Sequence, residues 1–163
     1  MRKTISFSLN TKDIDRAIRE VREFKRELTG KLRLFMQRLT EDGTAIAKYQ
    51  VISLGAYDTG DLAESLEGEV MYTDGGNKGI IFTSSPYAAF VEFGTGVMGQ
   101  GSPHPEKPWA YDVNEHGEAG WVYYDEREER FRWTKGMPSR PFMYNTAIEL
   151  ESRARQIAKE VFG

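Results

Sequence analysis

An α+β fold is expected from this chain. Long stretches near both ends repeat apolar residues at helical spacing. Between them lie two alternating segments, each divided by a polar turn. With 163 residues it suits one domain, 1–163, able to bury a core without staples.

The elements follow in order. Thr4 to Leu9 alternates, with Ile5, Phe7 and Leu9 on one side, and reads as a short edge strand. Asn10 or Thr11 then caps a helix carrying Ile14, Ala17, Ile18, Val21, Phe24 and Leu28. Thr29-Gly30 marks a break or kink. The pattern resumes through Leu32, Phe35, Met36, Leu39, Ala45, Ile46, Tyr49 and Ile52, with Gly43 a further interruption. This gives two helices, 11–28 and 31–54, or one long kinked helix. A coiled coil is disfavoured because Lys25 falls on the seam.

Asp61 is placed to cap a short turn, with Glu64 completing a capping box. Residues 68–72 and 80–84 read as a hairpin about a turn rich in Gly, Asn and Asp. Pro86 suits the opening of a helix running to Phe93 and burying Tyr87, Phe90 and Val91. Gly94 stops it. Residues 97–135 form an insertion: a Pro/Gly loop to Pro108, then a second hairpin bearing Trp121, Tyr123, Phe131 and Trp133. Pro141 opens a final helix, 142–162, with Phe142 buried and Ala147, Leu150, Ala154, Ile157 and Val161 on one face.

Charge is uneven. The net charge is −3, yet residues 1–38 hold 11 Lys/Arg against 5 Asp/Glu. That leaves +6 at the start and −9 elsewhere. An overall acidic chain is a poor general nucleic-acid binder, and 97–135 has 5 Lys/Arg against 8 Asp/Glu. The charge poles suit a solvated helix face or contacts between subunits. No cysteine is present, which excludes disulfides and thiolate metal sites. The start lacks the apolar core of a secretory leader, and no apolar run approaches spanning length. No membrane partner is expected.

Catalytic constellations are weak. His104 and His116, with Asp112, meet no metal-ligand spacing, so no metal or other cofactor is expected. Asp58-Thr59-Gly60 has the letters of an aspartic protease signature but lacks a second copy and a flanking apolar strand. A turn explains it, with Asp58 and Thr59 bonding backbone N–H groups and Gly60 at positive φ. Glu92 and Glu64 are not brought together by anything in the sequence. An ion pair from Glu92 to Arg140 is expected instead. Gly94-Thr95-Gly96 lacks the Lys-Ser/Thr of a phosphate loop. The aromatic hairpin reads as a small satellite core or an exposed docking surface, with Trp109, Trp121, Tyr123, Phe131 and Trp133 as its candidate interface.

Three words thus stand out: Tyr57-Asp58-Thr59-Gly60-Asp61-Leu62, Tyr87 to Gly96, and Gly136 to Met143. In this order they resemble the tail-completion, or head–tail connector, proteins of siphophages and prophages. The resemblance covers about 11–163 and rests on Asp58, Thr59, Gly60, Leu62, Tyr87, Glu92, Phe93, Gly94, Thr95, Gly96, Arg140, Pro141 and Phe142. It implies a small antiparallel sheet packed against the long N-terminal helical region and the C-terminal helix. It further implies a non-enzymatic virion component at the neck or head-proximal tail end, reached through the host cytoplasm. Its expected partners are itself, as a six-membered ring, and phage connector and tail proteins. Family members often have a shorter link between Gly96 and Arg140, so 97–135 is where transfer is weakest. Two other readings are a prophage-derived protein-binding module without a virion role, and a hydrolase using Asp58, Asp61 or Glu92.

Overall fold

A computed structural model describes residues 3–56, 60–73, 76–106, 119–125 and 128–163. Helix α1, Thr11–Ser53, is one uninterrupted 43-residue helix, about 65 Å long at the usual helical rise. Asn10 caps it, its side-chain oxygen accepting from the Asp13 N–H at 2.9 Å. The helix passes through Thr29-Gly30 without a break. Thr29 Oγ1 donates back to the Lys25 carbonyl at 2.9 Å, and one exposed glycine costs only about 1 kcal/mol.

Gly43 is a packing position rather than an interruption. A Cβ there would lie 2.4 Å from Ile81 Cδ1 and 2.9 Å from Leu150 Cδ2. Its bare backbone therefore lets the hairpin and the last helix converge on α1. The hairpin pairs β1, Leu66–Thr73, with β2, Gly76–Thr83, antiparallel in register Leu66 opposite Thr83. Near the hairpin's tip the Tyr72 ring lies under the Arg33 guanidinium of α1 at 5.2 Å.

Helix α5, Phe142–Phe162, runs antiparallel to α1. Asn145 meets Gln50 at 3.3 Å, Glu160 meets Arg38 at 3.1 Å, and the Phe162 and Phe35 rings are 5.8 Å apart. Short helices α2, Asp61–Glu64, α3, Ala88–Phe93, and α4, Gly96–Gly101, join these layers. A second hairpin, β3 Trp121–Asp125 with β4 Arg130–Thr134, completes the described chain. The core comprises Ala47, Val51, Leu62, Ala63, Leu66, Ala88, Val91 and Phe142.

The α+β expectation holds, with a small antiparallel sheet against a long helix and a C-terminal helix. Three local expectations fail. Residues 3–8 are not a strand: both described sheets are two-stranded hairpins, and no described strand pairs with this segment. Leu9 is 93% exposed. Asp61 begins α2 rather than capping it, because Gly60 holds the cap position at φ 100°. The start of the 97–108 loop is helical, since α4 is anchored by tertiary bonds that outweigh its glycine content.

Candidate interaction site

The second and third words are neighbours. Thr95 and Met137 exchange backbone bonds, N–H to O at 2.9 and 3.2 Å. The Arg140 N–H donates to the Val91 carbonyl at 2.9 Å, and Ser139 Oγ donates to the Glu92 carbonyl at 2.6 Å. Gly94, at φ 77°, makes this approach possible. A Cβ there would lie 2.6 Å from the Ser139 nitrogen.

Glu92 is the hub, although it is 7% exposed. Its carboxylate accepts from the N–H of Met143 at 2.8 Å and of Tyr144 at 2.9 Å. These are unpaired donors of the first turn of α5, where the helix dipole also favours negative charge. Its Oε1 further accepts from His104 Nε2 at 3.1 Å. The Glu106 N–H donates to His104 Nδ1 at 3.1 Å, nearer than the Glu106 carbonyl at 3.4 Å. Nδ1 is thus the acceptor, and Nε2 carries the proton shared with Glu92. Phe93 and Tyr144 flank the imidazole, with centroids at 4.7 and 5.4 Å.

This corrects the expected Glu92–Arg140 pair. A buried carboxylate meets helix-end donors without the entropy of ordering an arginine, and the helix opened by Pro141 presents those donors. Nothing at sequence level joined His104 to Glu92; the only signal was a histidine between two prolines. Phe90 is also corrected. It is 52% exposed, because the inward face of short α3 is taken by Ala88, Val91 and Glu92. Tyr87 is likewise half exposed, whereas Phe142 is 1% exposed, as expected.

All three words line one open cleft of about 540 Å³. Gly60, Asp61 and Leu62 come from the first, Tyr87 and Val91 from the second, and Met137 and Arg140 from the third. Asp58 and Thr59 lie outside the described residues, as do Trp109, Asp112 and His116. Among the described residues no group of three or more His, Asp or Glu could hold a metal ion. No described helix is long and apolar enough to cross a membrane.

The second hairpin has two unlike faces. Asp125 and Arg132 share one, with Arg132 Nε 3.2 Å from Asp125 Oδ2. Glu128 in the turn pairs with Arg132 and Arg130. The hydrogen bond from Arg132 holds the Glu128 carboxyl below its ordinary range, and Glu128 in turn holds the Arg132 guanidinium above its own. The other face carries Val122, Tyr124, Phe131 and Trp133, each at least half exposed. Of the expected interface residues, Trp121 is half-buried beside Gly96, while Tyr123, Phe131 and Trp133 are exposed.

Comparison with known proteins gives a likeness over part of the chain. Residues 19–94 match the family model described as "Bacteriophage HK97-gp10, putative tail-component". The match spans 76 of 163 residues, from the first turns of α1 through the Gly94 stop. This stretch of the chain is therefore similar to a bacteriophage tail component, the class that the three words resemble. No curated protein and no solved structure matches the chain.

Proposed function

We propose that this protein is a non-enzymatic structural component of a phage or prophage virion, acting at the head–tail junction or the head-proximal end of the tail. The observation that carries this reading is the tail-component match over residues 19–94. It covers most of α1, α2, the whole β1–β2 hairpin and α3, which carry the first two of the three words. The geometry is compatible with it. The Glu92 oxygens are engaged in capping a helix, and exposed apolar residues lie on the second hairpin and along α1, where partners can reach them.

In this reading the chain forms a ring, six-fold in the virion, and contacts connector and tail proteins. It is made in the host cytoplasm and ends in the virion neck or tail. The structural words hold the fold, and the 121–134 hairpin faces a neighbour. A null allele in the parent phage tests it. Full heads and finished tails should accumulate unjoined, and purified protein should restore infectious particles when added to the extract. Normal particle yield from the null allele, or labelled protein absent from purified virions, would overturn the assignment.

A further inference from the structure

Two surfaces with exposed apolar residues lie at opposite ends of the described fold. One is the arm of α1 before Leu32. Helix α5 ends against Phe35, and the hairpin reaches Arg33. N-terminal to these the arm extends about 33 Å at the usual helical rise. Ile14, Ile18 and Val21 are exposed along it, beside the buried Ala17. The second surface is the Val122, Tyr124, Phe131 and Trp133 face of the β3–β4 hairpin. The base of this hairpin is fixed to Thr95 and Gly96 near the start of α5, so it belongs to the far end of α1.

The two surfaces differ in charge. Residues 11–32 hold seven Lys/Arg and five Asp/Glu, and the 121–134 hairpin holds three and four. Complementary sign favours arm against hairpin over either surface against itself. Lys25 sharpens the choice. Arm-to-arm pairing would set a lysine from each copy into one apolar seam, at a desolvation cost. An aromatic face instead accepts an ammonium by cation–π attraction, as Trp133 already does for Lys135 at 5.6 Å.

We propose that copies of this chain associate head to tail, the α1 arm of one lying on the aromatic face of the β3–β4 hairpin of the next. The inference rests on the ring reading above and assigns its contact. Because the two patches differ, the contact is heterologous. It propagates from copy to copy and closes into a ring when the rotation permits.

The absence of native cysteine makes the test direct. One variant carries Ile18→Cys, another Val122→Cys, and a third carries both. A control carries Ser152→Cys, at an exposed position on α5. Under mild oxidation the equimolar mixture of the first two should form a covalent heterodimer. Its yield should exceed that of either alone, or of either mixed with the control, by about tenfold or more, since a docked pair has a high effective concentration. The double variant should give a ladder of dimers, trimers and higher species. Efficient homodimers of Ile18→Cys would instead show arm pairing, and of Val122→Cys hairpin pairing. Either result, or a mixture no better than the control, overturns the proposal. The virion role is scored separately. Head-to-tail crosslinks together with virions that need no such protein would sink the junction assignment and leave the contact standing. Virion rings without crosslinks would do the reverse.

Discussion

Glu92 and His104 are joined inside the fold, Oε1 to Nε2 at 3.1 Å, while the same carboxylate caps α5 through Met143 and Tyr144. A short helix, a proline-flanked loop and the C-terminal helix therefore share one buried acceptor. Glu92→Ala should cost about 2–4 kcal/mol, combining a lost cap with stranded buried donors. Glu92→Gln should cost less, since its one carbonyl oxygen still accepts. Urea unfolding of both variants checks the order. Equal stability of Glu92→Ala and the parent would remove Glu92 as the hub.

Phe142 and Phe90 separate a core aromatic from a surface one. Phe142→Ala should cost about 3–5 kcal/mol. Phe90→Ala, at a half-exposed position, should stay within about 1 kcal/mol. Thermal melts of the pair measure this. A large loss at Phe90 in the isolated chain would show that it is packed after all.

Gly60, Gly43 and Gly30 make different demands. Gly60→Val places a β-branched residue at φ 100° and should cost about 1–3 kcal/mol. Gly43→Ala should also destabilise, because the new methyl meets Ile81 and Leu150. Gly30→Ala meets nothing within 4 Å and should stabilise by about 0.5–1 kcal/mol. Denaturation midpoints of the three variants test whether α1 is continuous. Destabilisation by Gly30→Ala would argue for a break at Thr29-Gly30.

Asp13 gives a pH signature at the start of α1. The Ser8 hydroxyl, then Asn10, holds its carboxyl below the ordinary range. A depressed folded value means that its stabilisation is present above the unfolded carboxylate value, about 4. It is lost as pH falls through the lower folded value. Amide protection at the first turn of α1, corrected for the intrinsic exchange rate, should fall only below about pH 4. Asp13→Asn should abolish that step. A step that persists in the variant would assign it to another group.

Much was legible in the chain because it rests on local chemistry. Asn10 capping, the helical spacing from Ile14 to Ile52, the β1–β2 turn, the alternating tryptophan hairpin and the helix after Pro141 all involve residues close in sequence. Periodicity and turn preference suffice for those. The three words could likewise be picked out because each combines turn residues with an apolar run.

Tertiary structure decided what depends on distant partners. Whether Gly43 breaks a helix or admits two neighbours depends on Ile81 and Leu150, 38 and 107 positions away by numbering. Whether Phe90 or Val91 faces inward depends on how a six-residue helix is rolled, and six residues carry too little periodicity to fix that. Residues 3–8 alternate like a strand, but a strand forms only where a partner strand lies alongside, and neither described hairpin pairs with this segment. The partner of Glu92 was set by the first turn of α5, whose N–H groups need an acceptor that the sequence there lacks. Propensity acts within a few residues, whereas burial and hydrogen-bond satisfaction are settled only when the layers meet.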